Sequence, residues 1–379
     1  MSIKTLSKKM LAIVVAGAMT MGLAMSTSVF ATVEGTTTKV TEAYISKTFN
    51  TEVGKAETFS FKAKQVGVNT ENVTIPNISF TESETGTKTK RAKVSFPEWK
   101  DAGKYEYIVT ETGATPEIND VKHQKMIMSQ AEYTMDVYVS NGDTGLKISN
   151  IIVNKTKDDK GATATGKVDI SDTDKNGFNF TNTYVQEAGT GTDPTNPDPT
   201  YNQFGSLNVS KKIVNANGTT ETSKDTFVFT ATFAFPNGTD ANTLGGIKDA
   251  NGELVTLAED GTYTFRLKAN ENMKFTGVPV GTTITVKESA TKNYKGSAEI
   301  TINGTQLTPV SATKYNAELT AVNNEKLGQK QNTVDVTNTY NDVPVTGIIM
   351  NTLPYVLMIA LCGAALMAFV AFKRRRLQK

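Results

Sequence analysis

Apolar and polar residues alternate with a period of two along most of residues 32–346, and this pattern predicts β-strands with one buried face. The clearest runs lie around Phe59, Tyr107, Val137 and Phe229. They are rich in Thr, Val, Tyr and Phe, which favour strands, and no stretch shows convincing helical amphipathicity. Strands of this length with turn residues between them predict antiparallel β-sandwiches, so the expected fold class is all-β.

A stretch rich in Pro, Gly, Thr and Asp, residues 186–202, interrupts the strand pattern. It is predicted to be a linker because nothing in it can fill a core. We therefore expect two tandem sandwich domains, residues 32–185 and residues 203–342.

The two halves share short sequence repeats. The tetrapeptide Thr-Asn-Thr-Tyr ends both of them, at 181–184 and at 337–340. Near their starts, Ile-Ser-Lys at 45–47 corresponds to Val-Ser-Lys at 209–211. These correspondences indicate that the two domains are built alike.

Each half also places three polar residues on a face that is otherwise apolar, because residues i and i+2 of a strand share a face. They are a Lys near the start, a Glu in the middle and an Asn at the end. In chain order they are Lys47, Glu111 and Asn182 in the first half, and Lys211, Glu288 and Asn338 in the second. Lys212 is adjacent to Lys211, but its side chain is expected on the opposite face.

Burying a charged group costs about several kcal/mol per ion, so these residues need an explanation. One explanation is that they lie at strand ends or form ion pairs. The other is an intramolecular amide. A buried Lys can have a pKa of roughly 5–6, and its neutral amine is a nucleophile for the Asn carboxamide. A buried Glu, with a pKa of roughly 8–9, would stay protonated, polarise the carbonyl and move protons to the departing ammonia. Two matching sets of residues favour the amide.

The N-terminal residues 1–31 are typical of a secretory signal. Three lysines precede an apolar stretch, and small or modest side chains lead to a cleavage point between Ala31 and Thr32. A membrane anchor is the alternative interpretation. The short apolar segment and the polar region after it favour the cleaved signal.

The C-terminal part predicts a membrane segment with its own signal. Residues 348–372 carry no charge and are long enough to span a bilayer, and the tail 373–379, which has five basic residues, is expected on the cytoplasmic side. A type I membrane protein would share both features. The pentapeptide immediately before the span is Val343-Pro344-Val345-Thr346-Gly347.

Composition and charge narrow the function classes. The chain of 379 residues has one His and one Cys, which excludes a Cys-His zinc finger, thiolate-bound iron and an intrachain disulfide. The basic residues of the two ends leave an acidic region between them, so nucleic acid is not expected as a partner. No Gly-rich phosphate loop, calcium loop or nucleophile motif around His123 is recognisable. We expect no cofactor, no metal and no enzyme that turns over.

Taken together, these features resemble the major, shaft-forming pilins of Gram-positive bacteria of the streptococcal type. The resemblance implies two tandem Ig-like sandwiches, each closed by an isopeptide bond. It implies a Lys47–Asn182 bond assisted by Glu111. In the second domain it implies a Lys211–Asn338 bond assisted by Glu288.

The pentapeptide resembles the sorting motif Leu-Pro-x-Thr-Gly, with Val343 in place of Leu. The resemblance implies that a sortase cleaves after Thr346 and joins the new carboxyl group to a lysine of the next subunit. Related pilins place this acceptor just ahead of the first bonding Asn, which indicates Lys175, with Lys167 as the second choice.

The partners implied are identical subunits in a covalent polymer, the sortase, cell-wall peptidoglycan and, beyond these, minor pilins and a host receptor. The location implied is the surface of a Gram-positive cell. The alternative is a wall-anchored adhesin or minor pilin, which would bind a host ligand without polymerising.

Overall fold

The computed structural model describes residues 40–67, 72–118, 121–170, 177–221 and 223–341, together with Met358, Leu361, Cys362 and Ala365. The predicted signal and its cleavage point at Ala31 and Thr32 lie outside the described residues. So do the pentapeptide 343–347, Lys175 and nearly all of the predicted span 348–372. None of the helices among the described residues could span a lipid bilayer.

Ten strands form the first half of the described chain. They are β1 Tyr44–Thr51, β2 Glu57–Gln65, β3 Ile78–Phe80, β4 Gly86–Lys93, β5 Gly103–Thr115, β6 Gln124–Ile127, β7 Glu132–Gly142, β8 Gly145–Lys157, β9 Thr163–Val168 and β10 Phe178–Gln186. They make two sheets, in the orders β4-β1-β10-β6 and β3-β2-β5-β7-β8-β9.

One short helix, α1 Pro199–Phe204, precedes the ten strands of the second half. These strands are β11 Leu207–Val214, β12 Phe227–Ala234, β13 Thr262–Leu267, β14 Asn272–Phe275, β15 Thr283–Glu288, β16 Tyr294–Ile302, β17 Thr305–Gln306, β18 Val310–Ser311, β19 Leu319–Lys326 and β20 Thr333–Tyr340. Their sheets have the orders β14-β11-β20-β16-β17, with β18 on β16, and β13-β12-β15-β19. The all-β prediction is confirmed.

The two sheets of each half face each other across an apolar core. In the first half, Phe49 of β1 contacts Phe59 of β2, with ring centroids 5.2 Å apart. In the second half, Phe233 of β12 contacts Phe275 of β14 at 5.4 Å. All four rings are buried, as expected from the period-two pattern. Each half is therefore a two-layer sandwich.

The first and last strands of each sandwich lie side by side and parallel. Strand β1 pairs with β10, and β11 pairs with β20. The register is the same in both sandwiches. Lys47 is opposite the residue two positions before Asn182, and Lys211 is opposite the residue two positions before Asn338. The short sequence repeats thus correspond to one local geometry built twice.

The segment 186–202 joins the two sandwiches and is hydrogen-bonded to the second one. The backbone N–H of Ala188 donates to the carbonyl of Val278 at 2.9 Å, and the N–H of Gly191 donates to the carbonyl of Gln329 at 2.7 Å. Ala188 is fully buried and belongs to the hydrophobic core. The first part of the predicted linker therefore lies against the second sandwich.

Candidate functional site

The first candidate site lies in the core of the first sandwich and draws on both of its sheets. Alternation along β1 and β10 turns Lys47 and Asn182 inward, and Glu111 comes from β5 in the opposite sheet. A β-bulge lies next to this glutamate, because Ser60 pairs with Gly113 while the next residue of β2 pairs with Glu111. Bulges change the direction in which a side chain points, and this one adjoins the residue that closes the site.

The carboxylate of Glu111 bridges the other two side chains. Its Oε2 lies 2.7 Å from the Lys47 ammonium nitrogen, and its Oε1 accepts a hydrogen bond of 2.5 Å from the Asn182 amide nitrogen. All three side chains are buried, with 0% of Lys47 and 1% of Glu111 exposed. The amine and the carboxamide are thus held against one carboxyl group, away from water.

The second sandwich holds the corresponding site. Lys211 lies on β11, Glu288 is the last residue of β15, and Asn338 lies on β20. The Lys211 Nζ is 3.0 Å from Glu288 Oε1, and the Asn338 amide nitrogen donates to the same oxygen at 2.8 Å. Lys212 is exposed on the other face of its strand.

An aromatic ring covers the amine in both sites. Lys47 Nζ lies 4.2 Å from the centroid of Phe59, and Lys211 Nζ lies 4.3 Å from that of Phe227. These rings exclude water from the nitrogen while their faces attract the cationic form. Their positions in the alternating runs of β2 and β12 predict that both rings are in the core, but the sequence analysis does not place them beside the amines.

Burial moves the pKa values of both pairs toward the neutral forms. Desolvation lowers the pKa of Lys47 from 10.5 to about 8, although the adjacent carboxylate of Glu111 opposes the change. Desolvation likewise lowers the pKa of Lys211 to about 8, against the effect of Glu288. It raises the pKa of each glutamate, and the neighbouring ammonium opposes this. Proton transfer from the amine to the carboxylate therefore becomes easier than in water.

This arrangement contains the three groups that amide formation needs. A neutral lysine amine is a nucleophile, a carboxamide carbon is its electrophile, and a protonated carboxyl group can donate to the carbonyl and to the leaving nitrogen. Here one glutamate touches both the amine and the amide nitrogen in each site. The glutamate is thus placed to carry a proton from one nitrogen to the other.

The surroundings of the two carboxamides differ. The Asn182 Oδ1 accepts a hydrogen bond of 2.8 Å from the backbone N–H of Ser129. In the second site, a Cβ added at Gly296 would lie 3.1 Å from both Asn338 Oδ1 and Glu288 Oε2. A glycine inside a strand is a sequence signal for such a close approach. The Ser129 contact has no such signal, since every residue except proline carries a backbone N–H.

A second buried polar cluster joins the sandwiches and includes the one histidine of the chain. Glu187 Oε2 lies 2.6 Å from His123 Nδ1, while its Oε1 accepts hydrogen bonds from the hydroxyls of Tyr201 and Ser206 and from the N–H of Gly277. Burial alone would raise the pKa of Glu187, but these hydrogen bonds together lower it. Ser206 bonds to the carboxylate and not to the imidazole, so the arrangement differs from a catalytic triad.

The remaining predicted positions are distributed as follows. Lys167 is exposed on β9, which is an edge strand of its sheet. Cys362 is exposed. Among the residues that the structure describes, no group of His, Cys, Asp and Glu is arranged to hold a metal ion.

A family described as a domain of unknown function, DUF7601, matches residues 205–340, which is the second sandwich. A search of curated proteins finds no match.

Solved structures of pilus proteins resemble the chain weakly. The major pilin from Streptococcus pyogenes is 20% identical, with 79% of this chain and 99% of that chain covered and a TM-score of 0.30. The major pilin T-13 from S. pyogenes is 14% identical, with 79% and 98% covered and a TM-score of 0.31. A pilus-presented adhesin is 15% identical, with 50% of this chain and 36% of that chain covered and a TM-score of 0.26. Likeness at these scores is too low to indicate what this chain does.

Proposed function

We propose that this chain is the structural shaft subunit of a covalently polymerised surface pilus, and that an autocatalytic Lys–Asn isopeptide bond locks each of its sandwiches. The observation that supports this most directly is the repeated buried cluster. Lys, Glu and Asn occupy the same positions in both sandwiches, on the parallel first and last strands and on one strand of the facing sheet.

The proposed reaction condenses two side chains of one molecule. The Lys47 ammonium first gives a proton to Glu111, and the neutral amine attacks the Asn182 carboxamide carbon. A new N–C bond forms and the bond from that carbon to Nδ2 breaks. Of the two protons that the lysine nitrogen loses, the glutamate passes one to Nδ2, which leaves as ammonia, and keeps the other. Lys211, Glu288 and Asn338 react in the same way.

Removal of the charges supplies a reason for the reaction to be favourable in the core. A buried ion pair costs free energy because two ions leave water, and the Coulomb attraction offsets this cost only when the geometry is excellent. An amide is uncharged, and it satisfies its polar atoms with fewer partners. Each glutamate acts once on its own chain, so the chemistry builds a structural protein and does not make the chain an enzyme.

The ends of the chain support assembly at the cell surface. The predicted signal at 1–31 would direct export, and a sortase would cleave the pentapeptide 343–347 after Thr346. The new carboxyl group would join Lys175 of the next subunit, with Lys167 as the second choice. The partners proposed are further copies of this chain, the sortase and cell-wall peptidoglycan, and beyond these minor pilins and a host receptor.

The covalent bonds are tested by peptide mass spectrometry of the digested full-length chain. We expect one cross-linked peptide that contains Lys47 and Asn182, and another that contains Lys211 and Asn338. Each should be lighter than its two parts by one ammonia. Glu111→Ala should abolish only the first, and Glu288→Ala only the second. Unmodified peptides from all four residues in the native chain would refute this part of the proposal.

Polymerisation is tested on denaturing gels of cell-wall extracts from the producing bacterium. A shaft subunit gives ladders of high mass, and Lys175→Ala should collapse them to the single subunit while the matched Lys167→Ala leaves them unchanged. Ladders that persist in the first variant and vanish in the second would move the acceptor to Lys167. A native chain that stays single on the wall would refute the shaft role and indicate a wall-anchored adhesin or minor pilin.

A further inference from the structure

The Lys-Glu-Asn clusters of the two sandwiches differ in the strand that pairs with the one carrying the asparagine, β10 in the first sandwich and β20 in the second. In the first sandwich, β6 pairs with β10 only as far as Ile127 opposite Thr183, so it ends where Asn182 begins. In the second sandwich, β16 continues past Asn338, which is opposite Gly296, and pairs with β20 along its whole length. The chain after β6 is therefore free to turn toward the first cluster.

This turn brings a backbone donor to the reacting carboxamide. The N–H of Ser129, which is itself buried, donates to Asn182 Oδ1 at 2.8 Å. In the part of the chain that the structure describes, the buried Asn338 Oδ1 has no hydrogen-bond partner. The two carbonyl oxygens thus differ in one hydrogen bond, at the atom where charge develops during amide formation.

The side chain of Asp159, which lies outside the turn, connects the turn to β10, the strand that carries Asn182. Oδ1 of Asp159 accepts a hydrogen bond of 2.5 Å from the Ser129 hydroxyl and one of 2.8 Å from the backbone N–H of Thr181, next to Asn182. The carbonyl of Asp159 also accepts from the N–H of Gln130 at 3.0 Å. Asp159 therefore links Ser129, whose N–H donates to Asn182, with Thr181, the residue next to Asn182.

We infer that the Ser129 backbone N–H stabilises the oxyanion formed at Asn182 and that Asp159 is its positioning residue, so that the first amide forms faster than the second. The inference rests on the proposed amide chemistry. When the Lys47 amine attacks, the carbonyl π electrons move to Oδ1, where the N–H already points. Ammonia then leaves, the carbonyl re-forms, and Glu111 moves the protons. Loss of one such donor slows acyl transfer by about 10²–10³-fold in enzymes.

Asp159 could act through its hydrogen bonds or through its negative charge, and the two have different effects on the reaction. Its negative charge favours the protonated forms of both Lys47 and Glu111, and so it raises the pKa of each group. Because both pKa values would fall together, removal of the charge alone would leave the proton transfer from Lys47 to Glu111 nearly unchanged and would not slow the attack. Removal of the hydrogen-bond acceptor would release the turn at Ser129 and slow the attack on Asn182. Asp159→Asn removes only the charge, whereas Asp159→Ala removes both.

The experiment follows both amides in the same molecules. Full-length chain is made by cell-free translation, quenched in acid at intervals and digested, and the two cross-linked peptides are quantified by mass spectrometry. The Lys211–Asn338 peptide is the internal control for synthesis. Trp99, the one tryptophan of the chain, packs on Tyr105 of the first sandwich, so its fluorescence reports whether that sandwich has folded.

We expect the first amide to form with a larger rate constant than the second in the native chain, counted from the moment when the full-length chain is complete. Asp159→Ala should slow the first by at least about tenfold, part of the loss known for a missing oxyanion donor, and leave the second unchanged. Asp159→Asn should form the first at the native rate or faster. If Asp159→Ala fails to fold by Trp99 fluorescence, Ser129→Ala decides, because it removes the hydroxyl link and should slow only the first peptide.

Equal rates for the two native amides, or a folded Asp159→Ala chain with a native rate, would overturn the inference while the proposed amides remain. Slowing by Asp159→Asn equal to that by Asp159→Ala would also overturn it, since the charge and not the geometry would then be responsible. Absence of both peptides from the native chain would instead refute the proposed function itself.

Discussion

The proposed Lys47–Asn182 amide can be prevented from forming without leaving a charge in the core, which makes its effect on stability measurable. Lys47→Met keeps an unbranched apolar side chain in place of the lysine stem and removes the amine. Glu111→Gln in the same chain keeps a hydrogen-bonding group near Asn182 and removes the carboxylate. The double variant therefore loses the bond and both ionisable groups together, so no unpaired buried ion adds to the destabilisation.

The expected magnitude follows from the loop that the bond closes. Residues 47 and 182 enclose a loop of about 135 residues, and the chain-entropy relation for a cross-link of that span gives about 5 kcal/mol of stabilisation. For a sandwich of about 150 residues, this corresponds to a fall in Tm of about 10–20 °C when the bond is absent.

The assay uses the position of Trp99. Its ring centroid lies 4.4 Å from that of Tyr105 in the first sandwich, and the chain has no other tryptophan. Thermal melts by Trp99 fluorescence therefore report the first sandwich alone. The matched control is Lys211→Met with Glu288→Gln, which removes the second bond and should lower a later or separate transition seen by circular dichroism.

Mass spectrometry first establishes that the Lys47–Asn182 bond is present in the native chain and absent from the double variant. If the Tm reported by Trp99 then differs by less than a few degrees between the two, the predicted stabilisation is refuted. The cross-link would then not act through the loop it closes. An equal shift of the Trp99 transition in the matched control would show that the two sandwiches unfold as one unit.

Two further predictions concern single residues. Gly296→Ala should slow the second amide and leave the first unchanged in the timed digest, because the added Cβ would lie 3.1 Å from Asn338 Oδ1 and Glu288 Oε2; equal slowing of both amides would contradict this. Glu57 is buried, and desolvation raises its pKa from 4.5 to about 7, so the folded chain keeps a proton that the unfolded chain releases and stability falls as the pH rises between these values. Urea unfolding should show that the Glu57→Gln chain is more stable than the native chain by up to about 3 kcal/mol above pH 7 and little changed near pH 4. An equal gain in stability at both pH values would refute the raised pKa of Glu57.

Much of the fold and of the candidate site follows from a period of two. Alternation alone places Lys47, Asn182 and Glu111 on core faces, and the structure buries all three side chains. Alternation predicts the buried face correctly here because one face of each strand is buried, so a register shift of one residue would expose an entire row of apolar side chains to water. The tetrapeptide repeat then indicates that the second half reproduces the first.

Features made by the backbone could not be read in this way. The segment 186–202 has the composition of a linker, yet Ala188 is buried. Its own N–H donates to the carbonyl of Val278, and the N–H of Gly189 donates to the carbonyl of Gly328, about 90 and 140 positions later in the chain. Amino-acid composition indicates whether side chains can fill a core, but it does not indicate which backbone N–H and C=O groups hydrogen-bond to each other. The Ser129 donor and the bulge beside Glu111 escape sequence analysis for the same reason.

The parallel pairing of first and last strands determines how the molecule would respond to a pulling force. In a single molecule that has both bonds and is pulled by its two ends, tension entering along β1 would cross from Lys47 to Asn182, and it would cross again from Lys211 to Asn338 before leaving along β20. Residues 48–181 and 212–337 would carry none of it. Between Lys47 and Asn338, the stretch from Asn182 to Lys211 is the part that could lengthen, and fully extended it spans about 100 Å. Single-molecule stretching should therefore find a nearly inextensible tether, with one short step where the junction around Glu187 gives way.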